Sequence, residues 1–315
     1  MKKNEKHADL TLIQIFDRFP DDDTAREHLE RIRWHKGIIC PHCGCSDQAK
    51  FSTIKPNPAK KVRAGLRWCA ACSKQFTVTV GTIFEDSHIP LRKWLIAWYM
   101  ICSSKKGVSS LQLQRQLELG SYRTALFMTH RIRYALQDPI FNDKLSGTVE
   151  CDETYIGGKK KGMGRHYLGN KTPVVSLLER GGRVRSGAMK QVTGKNLKEV
   201  MERHIDRKAH IMTDDFRGYR KAARSFASHQ AVNHSAGEYV RGLAHTNGVE
   251  GFFSLIKRGV IGTFHHISEK YLPLYLAEFD HRHNYRKVSD GVRTVAALRK
   301  MEGKRLTYTE PVGRK

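Results

Sequence analysis

The chain has 315 residues, 56 of them Lys or Arg against 31 Asp or Glu, for a formal net charge of +25. With 39% hydrophobic and 9% aromatic residues it is a folded protein with room for two or three modest domains, not a disordered one. The charge excess points to nucleic acid as partner, because no amphipathic basic helix or lipidation signal supports an anionic membrane instead.

Residues 1–36 read as an N-terminal helical segment. Its start, "MKKNEKHADL", lacks the apolar core of a signal peptide. The longest strongly apolar run, "WLIAWYMIC" at 94–102, is about half of what a bilayer span needs. The expectation is a cytoplasmic, nucleoid-associated protein with reduced thiols.

Residues 37–85 read as a zinc ribbon. Cys40 and Cys43, then Cys69 and Cys72, form two Cys-x2-Cys knuckles, a spacing that brings two thiolates from one tight turn to one tetrahedral ion. Four thiolates leave no open position, so the expected Zn²⁺ is single and structural. His42 and Cys45 lie nearby but are not needed, and Cys102 and Cys151 read as small buried residues.

Residues 88–140 read as a helix-turn-helix region. "LRKWLIAWYMI" is too uniformly apolar for a solvated helix and is expected in the core. Leu111, Leu113, Leu117 and Leu119 fit a next helix, Gly120 a tight turn, and Ser121 the N-cap of a second helix buried on Ala125, Leu126, Met128 and Ile132. That second helix would present Tyr122, Arg123, Thr129, Arg131 and Arg133 to DNA. The plainer alternative is an ordinary helical packing unit.

From 145 to 290 the pattern changes to α/β with a mixed sheet. "SGTVECDETYIGG", "TPVVSLLER" and "RVRSGAMKQV" read as three strands, the last two joined at Gly181-Gly182. Helix "GKNLKEVMERHI", strand "AHIMTDD", helix "FRGYRKAARSFA" and strand "HQAVNHS" follow. Asp152 lies in the first strand, and Asp214 ends the fourth, where open α/β sheets gather function. A later amphipathic helix, "HTNGVEGFFSLIKRG", carries Asn247, Glu250, Ser254 and Lys257 on the face opposite Val249, Phe252, Phe253 and Ile256.

Three converging carboxylates would raise one another's pKa unless a cation neutralised them, and an all-oxygen set suits Mg²⁺ or Mn²⁺. Two such ions about 3.5–4 Å apart can serve phosphodiester chemistry. Asp215 has an ordinary alternative as a helix N-cap. Glu153 should face away from Asp152, whereas Glu150 shares its face and is the nearest competitor for the assignment. Residues 291–315 read as a basic C-terminal tail.

Taken together, "RIRWHKGIICPHCG", "RWCAACSKQFTVTVGTIFEDSHIPLRKW", "VECDETYIGGK", "MTDDFRGY", "VNHSAGEYVRGLAHTNGVEGFFSLIKRG" and "YLAEFDHRHNYR" resemble the zinc-ribbon-bearing DDE transposases of bacterial insertion sequences, whose catalytic domain is RNase H-like, of the retroviral-integrase type. The resemblance spans roughly residues 10 to 290. It implies an Asp152–Asp214–Glu250 active site, with Asn247 as the alternative third ligand because some relatives carry Asn there. It implies metal-dependent cleavage at element ends and attack of the freed 3′-hydroxyl on target DNA, with Lys257 and Arg258 near phosphate. The partners implied are double-stranded DNA, as terminal repeats and target, and a second copy of the chain, since pairing two ends needs at least a dimer.

Overall fold

The computed structural model describes residues 11–137, 143–158, 171–233, 236–238 and 240–307. The first ten residues of the expected N-terminal segment and residues 308–315 of the expected tail lie outside it. The chain divides into two compact units, one holding the described residues up to Ser104, Ser110–Leu136 and those from Val288 on, the other Lys105–Ser109 and Gln137–Lys287. The segment read as zinc ribbon and the helices of the segment read as helix-turn-helix region therefore share one unit, while residues 105–109 go with the other.

In the first unit, α1 (Leu12–Arg18) and α2 (Asp22–Arg33) precede a small antiparallel sheet of β1 (Phe51–Thr53), β2 (Arg67–Cys69) and β3 (Lys74–Phe76). Asp21 caps α2 by accepting the Thr24 N–H at 2.8 Å. Next comes α3 (Leu91–Ser103), buried continuously from Trp94 to Cys102, as its all-round apolar sequence requires. Then follow α4 (Ser110–Gln116) and α5 (Tyr122–Leu136). Leu113 and Leu117 are buried, but Leu111 is exposed: two residues from Leu113, it falls on the other side of α4. The turn after α4 takes its left-handed residue at Glu118 (φ 48°), not at Gly120, and the Leu119 N–H closes on Gln114 O at 2.9 Å. Ser121 caps α5 as expected, accepting the Thr124 N–H at 3.1 Å.

The second unit is built on a five-stranded sheet of β4 (Thr148–Ile156), β5 (Thr172–Glu179), β6 (Val184–Ala188), β7 (His210–Asp214) and β8 (Ser228–Val232), in the order β6-β5-β4-β7-β8. The first three strands are antiparallel, and β7 and β8 run parallel to β4, which gives the RNase H-like mixed sheet. α6 (Gly194–His204) and α7 (Arg217–Ala222) cover one face, where Val149 and Cys151 of β4 meet Leu197, Met201 and Tyr219. α8 (Asn247–Gly259) and α9 (Leu272–Asn284) cover the other, where Ile156, Val174 and Leu178 meet Val249, Phe252, Phe253, Ile256 and Phe279. Edge strand β6 is bound by α9 side chains: Asn284 Oδ1 accepts the Val184 N–H at 2.7 Å, and Asp280 Oδ2 accepts the Ser186 N–H at 2.7 Å.

Residues 291–315 are expected as a basic tail, but helix α10 (Asp290–Leu298) runs into them, belongs to the first unit and packs on α3. Ser289 caps it, and Ala297 and Leu298 are buried. The basic composition concealed a short amphipathic stripe. Among the described residues, no helix is long and apolar enough to cross a membrane.

Candidate metal centre and active site

Strand register places the first two acids. β4 and β7 pair in parallel with Thr148 opposite His210, Val149 opposite Ile211 and Glu150 opposite Met212. Carried two residues further, that register sets Asp152 beside Asp214 on the same face of the sheet. Alternation along β4 sends Asp152 toward the α8 face and Glu153 to the opposite one, where Glu153 Oε2 accepts the Tyr219 hydroxyl at 2.8 Å.

Glu250 enters on the first turn of α8. Its Oε1 accepts the Thr246 hydroxyl at 2.7 Å, and its N–H donates to Thr246 O at 3.0 Å. Asn247, the alternative ligand, is the first residue of α8 and is exposed. Asp214 Oδ1 accepts the Phe216 N–H at 3.1 Å, so the turn into α7 is closed by Asp214 rather than by Asp215.

The electrostatics record how these acids crowd. Burial pushes the Asp152 carboxyl up to about 8, and the charges of Asp214, Glu153 and Glu250 add to the rise against one hydrogen bond from the Glu153 N–H at 2.7 Å. Glu153 is raised too, first by burial, with the Tyr219 hydroxyl opposing. A half-buried acid ringed by acids is a site that a cation would relieve, and oxygen-only donors suit a hard divalent ion. The carboxylate oxygens are nonetheless not drawn together: among the described residues, only the four cysteines bring three or more donor atoms within 4.8 Å of one another.

That cysteine cluster has the dimensions of a closed tetrahedral site. Cys40 and Cys72 Sγ lie 3.7 Å apart, Cys43 and Cys69 Sγ 3.8 Å. An ion about 2.3 Å from each of four sulphurs sets them roughly 3.8 Å apart, so Zn²⁺ fits without rearrangement. Both knuckles turn through left-handed residues, Gly44 (φ 74°) and Ser73 (φ 53°). Burial opposes ionisation of Cys40, but the N–H groups of Cys43 and His42 outweigh it and bring the thiol down to about 7. Cys72 goes the other way, pushed up to about 12 by burial and the neighbouring thiols. His42 is occupied elsewhere, its Nε2 3.1 Å from Gln75 O.

Comparison with known proteins finds two matching domains. Residues 144–284 match the ISXO2-like transposase domain, and residues 20–75 match the transposase zinc-ribbon domain. The chain thus carries a stretch similar to each of these two transposase domains. It is also similar to a Halobacterium salinarum protein described as an uncharacterized protein in transposable element ISH50, with 29% identity over 282 residues, covering 84% of this chain and 91% of that one. The zinc-ribbon match contains all four clustered cysteines, and the transposase-domain match contains Asp152, Asp214 and Glu250.

The expected DNA-reading face needs correction. Tyr122 and Arg123, at the start of α5, are exposed, but Thr129, Arg131 and Arg133 are buried. Arg131 stacks over the rings of Phe127 and Trp94 and donates to Glu85 O at 2.6 Å. Thr129 bonds Ser110 across to α4 at 2.8 Å. The second half of α5 is thus core on nearly every side, and Arg131 and Arg133 are withdrawn as DNA contacts. Lys257 and Arg258 are exposed on the last turn of α8. Glu150, the competitor of Asp152, is 1% exposed and ion-paired with Arg180 at 2.8 Å. Sequence reasoning missed the part Arg180 plays, since its partners lie up to 65 positions away.

Proposed function

We propose that this transposase-family chain binds the terminal repeats of its own insertion sequence, cleaves DNA at the element ends and joins the freed 3′-hydroxyls to target DNA. Asp152, Asp214 and Glu250 are the catalytic carboxylates and ligands of two Mg²⁺ or Mn²⁺ ions, which when bound activate the nucleophile and stabilise the leaving oxygen. The observation that carries this reading is the setting of half-buried Asp152, raised first by burial and further by the charges of Asp214 and Glu250, remote in sequence, and of adjacent Glu153. Such mutual repulsion is costly to keep in a chain that only reads DNA.

In this reading β4 and β7 hold Asp152 and Asp214 rigidly at adjacent strand positions, and α8 delivers Glu250. Lys257 and Arg258, further along α8, neutralise phosphate. Tyr122 and Arg123 contact the terminal repeat, together with the zinc-ribbon segment 37–85, whose single Zn²⁺ is structural. The working complex contains at least two copies, one for each DNA end, and is associated with the nucleoid.

The test is an in vitro reaction with the DNA flanking this gene, using pre-cleaved ends in Mg²⁺ or Mn²⁺. Strand-transfer product from wild type and none from Asp152→Asn is expected. Hydrolysis without joining would make the protein a nuclease of the same fold. Tight binding with no chemistry would make it a DNA-binding regulator.

A further inference from the structure

Glu150 is a buried acid two residues before Asp152 on the same face of β4, and it does not belong to the proposed catalytic set. Its contacts give it another role. Oε1 accepts Arg180 Nε at 2.8 Å, while Oε2 accepts the backbone N–H of Val249 at 3.0 Å. The other two Arg180 nitrogens donate to Leu243 O at 2.8 Å and His245 O at 2.9 Å.

Val249 is the third residue of α8, and its N–H is one of the donors that a helix N-terminus leaves without an intrahelical partner. An N-cap side chain ordinarily takes it. Here the N-cap, Thr246, makes no such bond, and its hydroxyl goes to Glu250 Oε1. Strand residue Glu150 therefore caps the helix from outside. Gly248 permits the approach: a Cβ there would stand 2.8 Å from Glu150 Oε2 and 3.2 Å from Leu178 Cδ2.

The consequence is geometric. Glu150 and Asp152 share one strand, and Val249 and Glu250 are consecutive on one helix. A single charged hydrogen bond thus fixes the register of Glu250 against Asp152. Arg180 locks the 243–245 turn that feeds the helix and pairs with Glu150 at 2.8 Å. We propose that Glu150, with Arg180 as its counter-ion, is a positioning residue that sets Glu250 for metal binding. The inference rests on the carboxylate site proposed above.

The test compares wild type, Glu150→Gln, Gly248→Ala and Asp152→Asn in the full chain. Mn²⁺ titration followed by the electron paramagnetic resonance of the free ion is the first readout, and cleavage of element-end DNA the second. Thermal midpoint and DNA affinity serve as controls. Glu150→Gln keeps the shape but must present its amide to one of two donors, Arg180 or Val249 N–H. Both Glu150→Gln and Gly248→Ala are expected to weaken Mn²⁺ binding or cleavage by about 10- to 100-fold, as loss of support behind a metal ligand does. DNA affinity should not change, and raising Mn²⁺ should recover part of the rate.

If Glu150→Gln lowers only the thermal midpoint, leaving Mn²⁺ affinity and cleavage at wild-type values, the inference is overturned and Glu150 is structural. Where Glu150→Gln does not fold, Gly248→Ala decides by the same criterion. Wild type and Asp152→Asn binding Mn²⁺ equally would instead overturn the carboxylate site, and this inference with it.

Discussion

Tyr219 donates its hydroxyl to Glu153 at 2.8 Å on the face of the sheet turned away from Asp152. Adjacent acids on one strand are thus treated oppositely: Glu153 is given a fixed neutral donor, whereas Asp152 is surrounded by further acids. Tyr219→Phe removes only that donor and leaves a largely buried carboxylate without it. A loss of about 1–3 kcal/mol in urea unfolding is expected. A variant as stable as wild type would mean that water replaces the hydroxyl and that the pair is incidental.

Asp152→Asn should stabilise the protein in metal-free buffer while abolishing cleavage. The sign follows from the raised pKa: the folded state holds the Asp152 proton up to about 8, the unfolded chain only to its ordinary value of 3.8. Stability therefore falls as pH rises between those values, and asparagine, which cannot ionise, escapes the loss. A gain on the order of a few kcal/mol at pH 8, fading toward pH 4, is expected in unfolding titrations. A gain independent of pH would assign it to packing instead.

Acid should destabilise the protein through a separate set of groups. Burial depresses His130 to about 3, and His204 and His283 to about 4, with Arg133, Arg185 and Arg286 respectively adding to the effect. The unfolded chain takes up these protons near 6.5, so their contribution is complete above that pH and is lost on acidification toward 4. His283→Gln should flatten the stability curve over this window. A curve of unchanged slope would show that His283 is not among the groups responsible.

One zinc per chain is expected by metal analysis of freshly purified protein. Cys72→Ser should lose that metal and weaken DNA binding, while Mn²⁺ binding at the acidic residues persists. Retention of a full equivalent by the serine variant would remove Cys72 from the ligand set.

The two ends of α5 should respond differently to truncation. Arg123→Ala is expected to lower DNA affinity and reduce its salt dependence, with the thermal midpoint unchanged. Arg131→Ala should lower the midpoint by several degrees, because the side chain packs between Trp94 and Phe127 and bonds Glu85 O. Equal loss of DNA affinity in both, without a stability change in the second, would restore Arg131 to the binding face.

What could be read from the sequence was whatever local spacing dictates. The cysteine knuckles, the strands and helices between 148 and 259, and the strand-end setting of Asp214 follow from periods of two and three to four and from turn residues. The inward course of Arg131 and Arg133 was not legible. On a helical wheel they look like solvated cations, and only the presence of α3 and Glu85 around them makes that side interior. Glu150 was visible as an acid on the Asp152 face, but its capping of α8 depends on residues almost a hundred positions later. The helix from Asp290 was hidden by composition, since its few apolar residues count only once α3 is there to receive them.

The carboxamide of Asn284 brackets the outer N–H and C=O of Val184, and the carboxylate of Asp280 takes the outer N–H of Ser186, so this stretch of the sheet border is already engaged. A strand from another copy would have to displace these side chains to extend the ladder there. In the paired complex proposed above, copies meeting at this flank would do so through side-chain surfaces, with little main-chain template for fibrous stacking.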